Sequence, residues 1–160
     1  MKARLLVLAF LALAGICQAT QITGQVVGVH DGDSITVLVD RRQIKVRLAD
    51  IDAPELKQAF GRRSKQSLSD LCFNKSATLE DQGQDRYGRT LARVRCAGED
   101  ANREQVRRGF AWVFRRYAPR PSPLYDLEAE AKAARRGLWS DPKPLEPWEW
   151  RRTKGRSEVQ

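Results

Sequence analysis

QITGQVVGVHDGDSITVLVDRRQIKVRLADIDAPE, residues 21–55, decides how the rest of this chain is read. Ile35, Val37 and Val39 alternate with Ser34, Thr36 and, further along, Asp40, and Ile44, Val46 and Leu48 alternate with Gln43, Lys45 and Arg47. A period of two is the signature of half-buried strands, here joined by turns at Asp31-Gly32 and Asp40-Arg41-Arg42. The preceding segment, Ile22 to His30, is rich in Val and Gly; Gly24 and Gly28 suit a strand that bends sharply. If Ile44, Val46 and Leu48 face a core, Arg47 points the other way and is free to meet a ligand. Ala53-Pro54 ends the third strand.

Working outward, residues 61–71 predict a helix with a thin apolar stripe, Leu68 and Leu71, and with Arg62, Arg63 and Lys65 toward water. Residues 76–81 and 90–96 predict two more strands, joined by a polar loop, 82–89, that contains Gly83 and Gly88. A short helix near residues 100–108 ends at Gly109, and an apolar run, 110–114, follows it. A last helix has the clearest punctuation: Ser122 as cap, Pro123 in the first turn, Asp126, Glu128 and Glu130 early, Lys132, Arg135 and Arg136 late, and Gly137 as its stop. Leu124, Leu127, Ala131 and Ala134 give it a docking stripe. The expected fold is α+β, a small closed five-stranded β-barrel of the OB type with about three helices. Residues 141–160 form a basic tail with Pro144, Pro147, Trp148 and Trp150. The tryptophans either tuck that tail onto the barrel or stack bases.

The chain has 160 residues, enough for one domain with a real core. Lys2 and Arg4, the apolar run from Leu5 to Ile16, and Cys17-Gln18-Ala19 have the layout of a signal peptide, residues 1–19, cleaved after Ala19. The apolar run falls short of the ~20 residues needed to span a membrane. The expectation is export, to the periplasm or the medium. Loss of Lys2 and Arg4 turns the net charge of +9 into +7, an excess that attracts polyanions. Cleavage also leaves two of the three cysteines, Cys72 and Cys96, an even pair in an oxidising compartment and hence an expected disulfide.

Chemistry gathers at the edges of residues 31–55. Asp31 and Asp33 flank Gly32, while Asp50, Asp52 and Glu55 follow Arg47. Clustered carboxylates supply the oxygen ligands that a hard divalent cation takes, and a guanidinium fork matches phosphate oxygens. Together they outline a phosphate-ester site. Asp31 and Asp50 read as scaffold, a turn former and a solvated strand end. An EF-hand is excluded, because Arg42 stands where the twelfth-position glutamate would be. His30 is the only histidine, which argues against a Ser-His triad or a His-rich zinc site.

The Asp31-Gly32-Asp33 turn, the run Arg47-x4-Asp52-x-Pro54-Glu55 and the loop Asp85-Arg86-Tyr87-Gly88-Arg89 resemble the staphylococcal nuclease family. Residues 102–109, NREQVRRG, and 137–140, GLWS, extend that resemblance over residues 20–140. It implies a Ca²⁺-dependent endonuclease on an OB-fold barrel that cuts DNA and RNA with little sequence preference and leaves 3′-phosphate ends. It implies Asp33, Asp52 and the backbone carbonyl of Ala53 as metal ligands, and Glu55 as general base. Arg47 and Arg89 would hold the phosphate, with Tyr87 and Tyr117 lining the nucleotide site. A monomer without an obligate protein partner is expected. The loop after Glu55, residues 56–60, is shorter than in the secreted prototype, and Arg115-Arg116 replace a stretch that holds an aromatic there. The alternative is a catalytically weak nucleic-acid-binding OB-fold module, which would be expected to lack one of the five charged site residues; this chain lacks none.

Overall fold

The computed structural model describes residues 21–157; the expected signal peptide lies outside them. Six strands form one sheet: β1 (Gln21–Val29), β2 (Ser34–Val39), β3 (Arg42–Leu48), β5 (Ser76–Gln84), β6 (Thr90–Cys96) and β7 (Glu99–Asp100). Their order is β3-β2-β1-β5-β6-β7, and a parallel pairing of β3 with β6 closes five of them into a barrel. The expected five-stranded barrel is therefore present. β1 carries a register shift between Val26 and Gly28, the sharp bend that its glycines allow.

The β2 face that reads as polar is not solvated. Ser34 and Thr36 are buried alongside Ile35 and Val37, and Thr36 Oγ1 lies 2.7 Å from His30 Nε2, which gives the lone histidine a structural place. Val26, Ile35, Val37, Val46, Leu48, Leu79 and Val94 fill the barrel core. Leu68 and Leu71, from helix α1 (Gly61–Cys72), reach the same core. This matches the stripe read from the sequence, although Lys65 is only partly exposed. Cys72 ends α1 and Cys96 ends β6, and a disulfide joins them with S–S 2.03 Å.

Helix α2 (Ala101–Arg107) follows β7, and Asp100 caps it by accepting from Arg103 N. Its buried Asn102 accepts from Val94 N and donates to Ala49 O, tying the helix to β6 and to the end of β3. Helix α3 (Leu124–Ala133) departs from expectation at both ends. Pro123 occupies the cap position, and Ser122 Oγ makes only a 3.3 Å contact to Leu124 N. The helix stops before Gly137, because the chain turns at Arg135 (φ 50°), and Gly137 opens a 3₁₀ helix, Gly137–Ser140. Ala134, expected in the docking stripe, is exposed, whereas Glu128 is buried. The tail also contains an element the sequence pattern did not show: helix α4 (Pro147–Ser157).

Candidate active site

The turn after β1 is built so that its acids face inward. Asp31 Oδ1 accepts from Asp33 N at 3.0 Å, the Asx-type turn expected of that residue. Gly32 is required by close approach: a Cβ there would lie 1.8 Å from Ser64 Oγ of α1. Beneath it the buried Gln105 of α2 donates from Nε2 to Gly32 O at 2.6 Å and to Ser64 O at 3.1 Å. The turn is thus clamped between two helices, and Asp33 leaves it fully committed to the site.

Asp52 is placed by a different device. The two-residue strand β4 (Ile51–Asp52) pairs antiparallel with β8 (Trp112–Val113), with Asp52 opposite Trp112. The following amide, Ala53 N, donates to Asp33 Oδ2 at 2.8 Å, so the two acidic segments are joined through the backbone. Arg47 bridges their other sides. Its Nη1 donates to Asp33 Oδ1 and its Nη2 to Asp52 Oδ1, both at 2.8 Å. Burial pushes the Asp33 carboxyl up to about 7, against the pull of Arg47, with Asp31 and Asp52 adding to the rise. Arg47 is raised as well, for a different reason: burial lowers it, but Asp33 and Asp52 outweigh that and hold it above its ordinary value.

Glu55 sits just past β4, with its amide accepted by Gln58 Oε1 at 3.1 Å. Gly61 closes that loop tightly, since a Cβ there would lie 1.9 Å from Glu55 O. Arg89 comes from the loop 85–89, which is shorter than expected because β5 runs on to Gln84. Asp85 holds it through Nε at 2.7 Å, while its Nη1 reaches 3.4 Å to Ser34 Oγ. The in-loop ion pair and the site position are therefore the same arrangement. Asp33, Arg47, Ala53, Glu55, Tyr87, Arg89, Phe114, Arg116 and Tyr117 all line one open cleft of about 810 Å³. Asp52 stands beneath it with no exposed side-chain surface. The structure therefore brings the five charged residues of the expected site, Asp33, Arg47, Asp52, Glu55 and Arg89, together at one cleft.

Tyr87 and Tyr117 stand at the cleft as its exposed aromatics, each under an arginine: Arg86 lies 4.8 Å from the Tyr87 ring centroid, and Arg116 5.6 Å from that of Tyr117. A family model described as "Staphylococcal nuclease homologue" matches residues 45–141. The chain belongs to this family. It is 48% identical over 139 residues to "Micrococcal nuclease" of Shigella flexneri, covering 81% of this chain and 80% of that one. It is 44% identical to "Protein ParB" of Escherichia coli, over 82% and 80% of the two chains. It is 46% identical to an endonuclease of Haemophilus influenzae, over 92% and 82%.

Two members of the site lie outside residues 45–141. One is Asp33, found in the sequence from its turn motif. The other was missed: Arg151, on α4. Its Nη2 donates to Asp52 Oδ2 at 2.6 Å, its Nη1 to Asp52 Oδ1 at 3.3 Å and to Glu55 Oε1 at 2.7 Å. No motif or periodicity links a tail arginine to acids almost a hundred positions earlier. The other expected scaffold acid, Asp50, turns the chain at φ 66° and pairs with Arg93 at 3.3 Å, rather than standing free in solvent.

A divalent cation fits the donors in kind. Among the described residues no group of three or more His, Cys, Asp or Glu is arranged for an ion. Asp33, Asp52 and a backbone carbonyl nevertheless offer hard oxygens, the ligands of Ca²⁺ and Mg²⁺. Asp33 Oδ2 receives one hydrogen bond among the described residues, from Ala53 N, which leaves it acceptor capacity.

Proposed function

We propose that this protein is an exported Ca²⁺-dependent endonuclease that hydrolyses DNA and RNA with little sequence preference and leaves 3′-phosphate ends. The observation that carries this reading is the bridge of Arg47 across Asp33 and Asp52, with Glu55 and Arg89 in the same cleft. Asp33, Asp52 and the carbonyl of Ala53 would hold the cation. Bound there, it would polarise a phosphoryl oxygen and acidify water.

The chain's own residues do the remainder. Glu55 is the carboxylate at the cleft mouth, 38% exposed, so it can take the proton of a water attacking phosphorus. Arg89, braced by Asp85, directs its guanidinium into the cleft to stabilise charge growing on the phosphoryl oxygens. Arg47 sets the spacing of the two acids and adds a second fixed positive charge to the phosphate path. Tyr87 and Tyr117 offer ring faces to sugar or base, a contact that discriminates little between bases. In-line attack opposite the 5′ oxygen breaks the P–O5′ bond, the phosphate stays on the 3′ side, and the departing 5′ oxygen takes a proton from solvent to leave a 5′-hydroxyl.

The test is cleavage of end-labelled single- and double-stranded DNA and of RNA, with Ca²⁺ or with a chelator. Products should carry 3′-phosphates, the chelator should abolish cutting, and Glu55→Gln should lower kcat about a hundredfold or more. Binding without cleavage by the folded protein in Ca²⁺ would overturn the enzyme reading. Cutting in Mg²⁺ or Mn²⁺ but not in Ca²⁺ would overturn the choice of metal alone. For export, the protein recovered from periplasm or medium should begin at Thr20.

A further inference from the structure

The acid that Ca²⁺ is proposed to share with Asp33 is covered. Asp52 has no exposed side-chain surface, and two guanidinium groups enclose it: Arg47 on Oδ1, and Arg151 on Oδ2 with a second contact to Oδ1. Arg151 also takes Glu55 Oε1, so a single side chain spans the oxygens assigned to the cation and to the proton. Both carboxylates hold Arg151 well above its ordinary pKa, against the cost of its burial.

The position is supported from behind. Trp148 stacks on Phe114 with centroids 5.5 Å apart and planes 7° from parallel, Pro147 is buried, and Gln58 Nε2 donates to Leu145 O at 2.5 Å. Gln58 is also the residue that receives the Glu55 amide, so the tail and the Glu55 loop share one brace. Helix α4 is therefore docked by apolar contact one turn away from the acids. Its arginine meets them at the end of a long flexible side chain that is 41% exposed. Arg151 can leave without the helix leaving.

We propose that Arg151 is a built-in competitor of the divalent cation: it occupies Asp52 and Glu55 in the cation-free enzyme and must be displaced for the metal to bind. This rests on the assignment of Asp33 and Asp52 as the cation ligands. The physical reason is that Arg151 takes the Asp52 oxygen that Arg47 leaves open, so a divalent ion there would be a third positive charge at close range and would be repelled unless Arg151 left. The cation's affinity thus includes the cost of breaking the Arg151 contacts. Displacement exposes Asp52, frees Glu55 to take a proton, and returns a guanidinium to the cleft wall, where Arg151 already lies among the lining residues.

The experiment is calorimetric titration of the mature protein with Ca²⁺ and with Mn²⁺, without nucleic acid, for the parent chain, Arg151→Ala, Arg151→Lys and Trp148→Ala. Competition predicts a Kd lower by on the order of tenfold in Arg151→Ala. The Lys variant, which keeps the charge without the fork, should fall between that variant and the parent. Trp148→Ala removes the stack that seats α4 and should also tighten cation binding; it supplies the answer should Arg151→Ala fail to fold. Equal or weaker cation binding in Arg151→Ala, or in Trp148→Ala where that variant must decide, would overturn the proposal and leave the metal assignment standing. If the parent and every variant bind neither ion, the metal assignment falls and the competition falls with it.

Discussion

Arg47 has a place in the fold and, in the proposed reaction, a share in the chemistry, and the two roles have different experimental signatures. Its side chain is 16% exposed and lies between two carboxylates that are nearly or fully buried. Removing it leaves Asp33 and Asp52 close together without their shared counter-charge, and breaking such a buried pairing costs about 3 kcal/mol or more. Arg47→Ala is therefore expected to unfold at clearly lower denaturant than the parent in chelator, and Ca²⁺ should restore part of the loss by supplying charge to the same acids. Equal midpoints in chelator would mean that Arg47 has no structural share. This residue was legible in the sequence because strand alternation alone turns it away from the core. So was Asp33, from its turn. Arg151 was not legible, since what places it is the Trp148–Phe114 stack, a contact between segments that no local pattern connects.

Among the helices, α3 shows where punctuation misleads. Glu128 reads as one of several acids favouring the positive end of a helix, yet it is 1% exposed and takes Arg115, Lys132 and the amide of Val113, the strand partner of Ile51. It thereby supports, from the far side, the short strand pair that holds Asp52. Burial alone would raise its pKa; the hydrogen bonds from Arg115, Lys132 and Val113 outweigh that and hold it below the ordinary value of 4.5. A depressed carboxyl stabilises the fold above its unfolded pKa, and that stability is lost as pH falls through the folded one. Glu128→Gln is expected to lose about 1–3 kcal/mol at pH 7. The gap to the parent, followed by urea denaturation at a series of pH values, should close once pH drops below the ordinary glutamate range. A gap that persists at low pH would assign the effect to packing. The other long-range tie, Cys72–Cys96, was legible because only two cysteines lie beyond the expected cleavage point, and its 24-residue separation predicts a loss of about 2–4 kcal/mol in the Cys72→Ser, Cys96→Ser protein. Equilibrium denaturation of the oxidised parent beside that variant measures it.

Over the whole molecule, closure of the barrel by β3 and β6 is what sets Arg47 beside the loop that carries Arg89: Arg47 is in register with Leu91, two residues beyond Arg89. Barrel type and its five main strands were readable in the sequence, whereas the two-residue strands β4, β7 and β8 and the extension of β5 to Gln84 were not. Nor was the cleft as a surface, because it is assembled from the 31–33 turn, the end of β5 with the 85–89 loop, residues 114–117 and the tail. The electrostatics of that surface follow from composition. A chain of net charge +9 with arginines along one cleft is expected to bind a polyanion by releasing condensed counterions, with affinity falling linearly in log salt. Arg116 is the informative residue. It is exposed, lines the cleft beside Tyr117 and makes no ion pair among the described residues, so its charge is available to a backbone phosphate. Arg116→Ala is expected to weaken binding of all sequences alike and to reduce the slope of log affinity against log salt by about one. The measurement is fluorescence anisotropy of labelled duplex across a salt series, in Ca²⁺ with the Glu55→Gln background so that cutting is slow on the timescale of the reading. An unchanged slope would remove Arg116 from the phosphate path and place the strand on the Tyr87 side of the cleft.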